Sequence, residues 1–275
     1  MINQLRSLGR IAIRRAMMTC IACLAVWFAR LDSRAAPGTI LIVSGTAGGT
    51  DIQDALDKVA AGEEVVLGPG TYTVRQPIIM ERDHKTLRGS GSRTVLLLAA
   101  NANCPVVILG VPDQRQRPTS HLRLADLCVD GNREQQQSEL WRVAADGSVI
   151  NNNGVEVRNV SDALVEMVTC CRCRSGGLVT SGGVRRLTVR DFTAFDNQFD
   201  GLACYLTQDS RFTGLSLHDN RAAGISLDLA FNHNVIEHAI LERNDLGIFM
   251  RDSRDNTFED LTIRESRNQI GRAHV

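Results

Sequence analysis

A tyrosine, an aspartate and an arginine occupy one position of a periodic sequence. Tyr205, Asp228 and Arg251 each stand four residues after a glycine that recurs about every 23 residues. A phenol, a carboxylate and a guanidinium that stack on one another can bind an anionic group and move a proton. These three residues are therefore the candidate catalytic residues. The alternative interpretation is a solvated face on which Asp228 and Arg251 form a surface ion pair, which contributes little to stability.

Two further pairs of charged residues could take part in binding. Glu156 and Arg158 stand two and four residues after the first glycine of the repeat, so they extend the same outward face and are candidate substrate-binding residues. Asp126 and Asp130 flank Cys128, and outward carboxylates are ligands that Ca²⁺ prefers. They are the candidate metal ligands. The Asp-Gly-Asn sequence that starts at Asp130 is also typical of a turn, which is the alternative.

The recurring glycine defines the architecture that must position these residues. Its five copies are separated by 23, 24, 23 and 23 residues and are Gly154, Gly177, Gly201, Gly224 and Gly247. A fixed period of this size indicates a solenoid. Apolar or small residues follow each glycine at +1 and +3, which predicts a short strand with that face inward and the +2 and +4 side chains outward.

A second apolar element follows in each repeat, with the spacing x, x+3, x+5. The five sets are Val165-Val168-Cys170, Val189-Phe192-Ala194, Phe212-Leu215-Leu217, Ile236-Ala239-Leu241 and Phe258-Leu261-Ile263, and residues 124–129 show the same spacing. Asn197, Asn220 and Asn244 stand three residues beyond such a set, where asparagines of successive coils can hydrogen-bond in a ladder. Coils of about 23 residues with two or three strands fit a parallel β-helix whose coils stack about 4.8 Å apart. A leucine-rich repeat fits less well, because half of each repeat alternates with period two.

The segment "TDIQDALDKVAAG" predicts an amphipathic helix that caps the open end of the solenoid within residues 37–70. Its apolar face consists of Ile52, Ala55, Leu56 and Val59. Thr50 and Gln53 predict a capping box, and Gly62 predicts the end of the helix.

Residues 1–36 are typical of an export signal, because arginines precede an apolar run over 16–29 and small residues follow it. Removal of this segment leaves 25 basic and 30 acidic residues, a balance that argues against a nucleic-acid partner. We expect a secreted or periplasmic protein without a stable membrane span in the mature chain, since a span needs about 20 apolar residues. A membrane anchor is the alternative.

The remaining segments complete the expected organisation. Residues 37–269 form the predicted β-helix domain, and residues 133–150 fit no coil and are predicted to form an excursion loop. Residues 270–275 match what a common sequencing adapter encodes when read in frame. We therefore expect them to be a non-native tail and the native chain to continue into further coils and a cap. Cys170 and Cys204 fall on the inward pattern and are expected in the core as free thiols.

The sequence resembles the pectate-lyase-like superfamily of right-handed parallel β-helix proteins over about residues 38–268. The resemblance is carried by "DIQDALDKVAAGEEVVLGPGTYTV", "KTLRGSGSRTVL", "LADLCVDGN" and the five glycine repeats. It implies an all-β, right-handed parallel β-helix that binds or cleaves an acidic polysaccharide. The implied activity is that of a polysaccharide lyase, which acts by uronate β-elimination and often uses Ca²⁺, or of a glycoside hydrolase.

Two features of the repeats leave the activity open. The later repeats also resemble those of non-catalytic periplasmic β-helix proteins, so a binding scaffold is the alternative to an enzyme, with an adhesin as a further possibility. A hydrolase needs two carboxylic acids across the scissile bond, and no clear pair of acids on neighbouring coils stands out in the repeats. The substrate, the oligomeric state and the choice between lyase and hydrolase stay open at this point.

Overall fold

The structure is a computed structural model that describes residues 39–42, 47–111, 116–138 and 151–272. The predicted export signal and residues 139–150 of the predicted excursion loop lie outside these ranges. The elements are α1 (Gly49–Lys58), a 3-10 helix (Arg133–Gln135) and the strands β1 (Thr39–Ile42), β2 (Glu64–Leu67), β3 (Gly70–Val74), β4 (Ile78–Met80), β5 (Thr86–Arg88), β6 (Thr94–Leu98), β7 (Val107–Gly110), β8 (Thr119–Asp130), β9 (Val155–Arg158), β10 (Val160–Cys171), β11 (Leu178–Ser181), β12 (Val184–Arg190), β13 (Thr193–Phe195), β14 (Leu202–Tyr205), β15 (Thr207–Gln208), β16 (Arg211–His218), β17 (Ala223–Asp228), β18 (Val235–Glu242), β19 (Leu246–Met250), β20 (Thr257–Arg264) and β21 (Asn268–Arg272).

The strands form two parallel sheets in which successive coils lie side by side. Sheet B contains one strand from each coil, in the order β21-β19-β17-β14-β11-β9-β7-β4. Sheet A follows the path β1-β2-β5-β8-β10-β12-β16-β18-β20, with β3, β6, β13 and β15 paired alongside. The predicted period is confirmed by the register, since Leu178 pairs with Leu202 and Leu202 pairs with Ile225. The core lies between the two sheets as one column of buried aliphatic side chains.

A left-handed residue in the middle of the second strand explains the x, x+3, x+5 spacing. The residue at x+2 has a positive φ in each of the six successive coils with this spacing: Asp126 (56°), Met167 (51°), Asp191 (51°), Gly214 (66°), His238 (51°) and Asp260 (52°). This conformation turns the chain, so the residue at x+3 rather than x+2 points into the core. Val165, Val168 and Cys170 are accordingly all fully buried.

The predicted asparagine ladder is confirmed. The Asn197 side chain donates to Asn220 Oδ1 at 2.9 Å, and the Asn220 side chain donates to Asn244 Oδ1 at 3.0 Å. All three asparagines are buried, so each bond satisfies amide groups that water cannot reach. The ladder therefore fixes one corner of successive coils.

The recurring glycines allow the coils to approach closely. A Cβ on Gly177 would lie 2.6 Å from the carbonyl oxygen of Gly201, and a Cβ on Gly201 would lie 3.0 Å from that of Gly224. A side chain at this position would push successive coils apart, which explains why glycine occupies it in all five repeats.

Helix α1 begins and ends differently from the prediction. The residue before its first turn is Gly48, whose amide donates to the Asp51 carboxylate at 2.7 Å, so the predicted capping box of Thr50 and Gln53 is wrong. Gln53 instead bonds both backbone groups of Ile79, because its side chain reaches the neighbouring strand. The helix ends at Lys58, and Gly62 lies in the following turn with a φ of 86°. Among the described residues, no helix is long and apolar enough to cross a membrane.

The predicted positions of two cysteines are confirmed. Cys170 and Cys204 are fully buried in the core, and all six cysteines of the described residues are free thiols. At the other end of the chain, β21 includes Ile270, which pairs with Ile248 and is 68% exposed. Residues 273–275 of the predicted tail lie outside the described residues.

Candidate functional site

Tyr205, Asp228 and Arg251 lie on three successive coils, as the repeat predicts. Tyr205 pairs with Asp228 across β14 and β17, and the pairing of Leu227 with Met250 places Arg251 directly after β19 on the next coil. Asp228 is buried and accepts hydrogen bonds from the Arg251 Nε at 3.1 Å and from the amide of Leu229 at 2.7 Å. The Arg251 guanidinium also contacts the second Asp228 oxygen. Asp228 and Arg251 thus form an ion pair with each other.

The Tyr205 phenol borders a cavity of about 180 Å³ on the outer face of sheet B. Burial and the nearby Asp200 carboxylate raise the pKa of this phenol to about 12, while a hydrogen bond with Ser226 opposes the shift. The phenol therefore keeps its proton at ordinary pH and can donate a hydrogen bond to a bound group. The cavity is lined by Asn151, Asn153, Glu156, Ser175, Gly176, Val179, Ser181, Phe199, Asp200, Ala203 and Tyr205.

Gly176 leaves room for this cavity. It lies on the coil between those of Asn153 and Asp200, and a Cβ there would lie 2.9 Å from a Val179 methyl and 3.3 Å from the Asp200 carbonyl oxygen. A larger residue at position 176 would therefore fill the space between the two polar walls of the cavity.

Glu156 forms one wall of the cavity as a fixed carboxylate. Its Oε1 accepts hydrogen bonds from the side chains of Asn153 at 2.8 Å and of Asn151, and its other oxygen forms an ion pair with Arg158. The carboxylate is only 2% exposed, so the two asparagines replace the water that Oε1 loses, while Oε2 has the arginine as its ion-pair partner. The two predicted substrate-binding residues, Glu156 and Arg158, are thus brought together, and they support each other.

Asp200 also lines the cavity and has the most distinctive electrostatics of the site. Burial raises the pKa of its carboxyl to about 6, although the amide of Ala223 donates to its Oδ1 at 2.8 Å and opposes the shift. A carboxylic acid that keeps its proton to about pH 6 can deliver it to a leaving oxygen, as a general acid does. Asp200 and Glu156 are therefore two carboxyl groups in one cavity, with different environments.

Asp126 and Asp130, the predicted metal ligands, have other surroundings in the structure. Both Asp130 oxygens contact the Arg172 guanidinium, and Oδ1 also accepts from the Asn132 amide at 2.9 Å, as in the predicted turn. Asp126 is one of two left-handed residues of β8, the other being His121. Among the described residues, no group of three or more His, Cys, Asp or Glu side chains is placed to hold a metal ion. Because Asp130 is paired with Arg172, it does not fit a Ca²⁺ ligand set as arranged. Binding of Ca²⁺ elsewhere in the protein stays a prediction.

Asp200, Asn151 and Asn153 were missed by sequence reasoning. The position before the recurring glycine reads Asn153, Gly176, Asp200, Ala223 and Leu246 through the five repeats. This column lies outside the +2 and +4 positions that the strand alternation places outward. A small residue between two polar ones in the same column was the available signal.

Comparison with known proteins identifies the fold. Residues 136–270 match the family model described as a right handed beta helix region. The chain is a right-handed parallel β-helix, the fold of the pectate-lyase-like superfamily. No curated protein matches the sequence.

Solved structures similar to this β-helix include enzymes and a phage protein. The polygalacturonase of Erwinia carotovora ssp. carotovora has a TM-score of 0.60 and 11% identity, with 86% of this chain and 81% of that chain covered. The family 28 exopolygalacturonase of Yersinia enterocolitica has a TM-score of 0.63 and 13% identity, with 84% and 56% covered. The N-terminal fragment of bacteriophage phi29 gene product 12 has a TM-score of 0.62 and 13% identity, with 81% and 41% covered. The chain thus spans less than half of the phage fragment, and identities this low show the fold alone.

Proposed function

We propose that this β-helix is an exported protein that binds an acidic polysaccharide along the outer face of sheet B and hydrolyses it at the cavity between Glu156 and Asp200. The observation that carries the proposal is the Asp200 carboxyl, whose pKa of about 6 makes it a proton donor in the same cavity as a fixed carboxylate. The similarity in fold to two polygalacturonases supports a polysaccharide as the substrate. The predicted export signal of residues 1–36 supports export.

The reaction would use the two carboxyl groups in different roles. Asp200 donates its proton to the glycosidic oxygen as the bond to the anomeric carbon breaks. Glu156, whose position is fixed by Arg158 and two asparagines, acts on the opposite side of the sugar, either on a water molecule or on the anomeric carbon itself. The stereochemistry of the product distinguishes these two roles. The Tyr205 phenol, still protonated, donates a hydrogen bond to the sugar.

The two arginines of the +4 column are already paired with carboxylates. Arg158 on β9 pairs with Glu156, and Arg251 after β19 pairs with Asp228. The proposal of an acidic polymer therefore rests on the similarity in fold to the two polygalacturonases. The cavity of about 180 Å³ is smaller than a pocket for a whole drug-sized ligand, typically above about 300 Å³. It would take part of one sugar unit, while the neighbouring units lie along the face.

Uronate β-elimination is a second candidate reaction. It is favoured by the exposed guanidinium of Arg251 next to Tyr205 and Asp228, since arginine can act as the base in this reaction. The pairing of Arg251 with Asp228 makes it less suitable than a free guanidinium, because it raises the pKa of Arg251. A non-catalytic binding scaffold is the third possibility.

One assay separates these three functions. The full chain is incubated with polygalacturonate, alginate and hyaluronan, with Ca²⁺ and with a chelator, and both new reducing ends and ultraviolet absorbance are measured. Hydrolysis gives reducing ends without new absorbance, and elimination gives both. Binding without either product favours a scaffold. If the protein neither binds nor cleaves any of these polymers, the proposal is wrong.

A further inference from the structure

Two leucines hold a backbone conformation that leucine disfavours, directly beside the candidate site. Leu206 follows Tyr205 and has a φ of 51°, and Leu229 follows Asp228 and has a φ of 49°. A side chain with a Cβ loses energy in this left-handed region, and only glycine, asparagine and aspartate visit it routinely. Such residues persist where the surrounding structure or a function maintains them.

The repeat itself shows which residues this position prefers. The five residues that follow the +4 column all have positive φ: Asn159 (49°), Gly182 (72°), Leu206 (51°), Leu229 (49°) and Asp252 (46°). Asn159, Gly182 and Asp252 are residue types that tolerate the conformation, whereas leucine is not. Their conformation is therefore imposed by the coil, while their side-chain type does not follow from it.

The leucine side chains are also not packed in the core. Leu206 is 38% exposed and Leu229 is 49% exposed, whereas the neighbouring core residues Cys204 and Leu227 are fully buried. The amide of Leu206 donates to the carbonyl oxygen of Leu229 at 2.9 Å, so the two residues stack on adjacent coils. Together they form an exposed apolar pair on adjacent coils, and each leucine directly follows a residue of the +4 column, Tyr205 or Asp228.

We propose that Leu206 and Leu229 form an apolar subsite that contacts the C–H face of a sugar ring next to the cavity. Sugar rings present their C–H bonds on one face and their hydroxyl groups around the edge, so an apolar pair beside polar donors matches both. Exposed apolar groups beside a polar site are typical of binding surfaces. The occupant is the polysaccharide of the proposed function, on which this inference rests.

The test exchanges the leucines for residues that suit the backbone but remove the apolar surface. Leu206→Asn and Leu229→Asn are expected to weaken binding of polygalacturonate about fivefold each, while the Tm stays the same or rises by up to about 4 °C because asparagine tolerates positive φ. Leu206→Met and Leu229→Met keep an apolar side chain and are expected to bind within about twofold of the wild type.

Met167 provides the matched control. It is also left-handed, with a φ of 51°, and 48% exposed, but it lies on sheet A. Met167→Asn should therefore shift the Tm as the leucine variants do and leave binding unchanged. All binding is measured at a temperature well below the lowest Tm, on protein with a native circular dichroism spectrum. If an asparagine variant does not fold, the comparison of Leu206→Gln with Leu206→Met replaces it.

The outcomes separate this inference from the proposed function. If the wild type binds polygalacturonate and the asparagine variants bind equally well, the apolar subsite is overturned and the proposed function stands. The same holds if Met167→Asn weakens binding as much as the leucine variants do. If the wild type binds neither polygalacturonate nor alginate nor hyaluronan, the proposed function fails, and the subsite fails with it.

Discussion

Asp228 and Arg251 form a two-point ion pair between successive coils on the outer face of sheet B. The Arg251 Nε donates to Asp228 Oδ1 at 3.1 Å, and the guanidinium also contacts Oδ2. The Asp228 side chain is 6% exposed and that of Arg251 is 42% exposed. The pair is thus the cross-coil ion pair of the alternative interpretation, with one buried partner, and a catalytic role for the two residues stays a prediction.

Arg251→Ala should destabilise the β-helix because it leaves the buried Asp228 carboxylate without its main partner. The exposed pair of Arg243 with Asp219 offers the matched control, since both of its side chains are 43% exposed. We expect the urea midpoint to fall more for Arg251→Ala than for Arg243→Ala. Equal midpoints would show that burial of Asp228 does not matter for the pair.

The Asp200 carboxyl makes stability depend on pH in a defined direction. Its pKa is about 6 in the folded protein and 3.8 is its ordinary value, so folding favours the protonated form. This stability is fully present below about pH 4 and is lost as pH rises through about 6. Asp200→Asn should remove this loss of stability at higher pH, because asparagine does not titrate. We therefore expect the variant to gain about 2–3 kcal/mol relative to the wild type between pH 4 and pH 7.5, measured by urea unfolding at both values. A constant difference between the two proteins would contradict a raised pKa.

The repeat made the fold and one column of the site predictable. A period of 23 or 24 residues fixes which side chains stack, so Tyr205, Asp228 and Arg251 could be placed on successive coils from spacing alone. The same logic predicted the ladder of Asn197, Asn220 and Asn244. Both predictions depend only on the register, which the recurring glycine sets.

The cavity could not be predicted in the same way. It depends on the missing side chain of Gly176 between Asn153 and Asp200, and on the burial that raises the pKa of Asp200. Burial is a property of the stacked coils and not of a residue type. The capping box failed for a related reason, because Gln53 bonds Ile79 of a strand that is distant in sequence.

Asn220→Ala should be strongly destabilising. Its side chain accepts from the Asn197 side chain at 2.9 Å and donates to Asn244 Oδ1 at 3.0 Å and to the Ala194 carbonyl oxygen at 3.1 Å. Removal leaves buried polar groups without partners, and we expect a loss of about 2–4 kcal/mol in the free energy of unfolding. Asn256, a half-buried member of a second ladder, is the control, and Asn256→Ala should lose about half as much. Urea unfolding of both variants measures the difference, and equal losses would speak against burial as the cause.

The neighbouring glycines 176 and 177 allow the fold and the cavity to be tested separately. A Cβ on Gly177 would lie 2.6 Å from the main-chain oxygen of Gly201, so Gly177→Ala should destabilise by about 3 kcal/mol. A Cβ on Gly176 would meet a Val179 methyl at 2.9 Å, which can shift, so Gly176→Ala should cost about 1 kcal/mol. Because Gly176→Ala narrows the cavity, it should also raise the KM for the polysaccharide. An unchanged KM would show that the substrate does not enter there.

The most direct test of the proposed reaction is the release of reducing ends from polygalacturonate by the wild type and by Asp200→Asn, measured side by side from pH 4 to pH 8. Asp209→Asn is the control, since Asp209 is an exposed aspartate that does not line the cavity. The account predicts release by the wild type and by Asp209→Asn that declines above about pH 6, as Asp200 loses its proton. It predicts a loss of at least about 100-fold in Asp200→Asn. Equal release by Asp200→Asn and the wild type would contradict the assignment of Asp200 as the general acid.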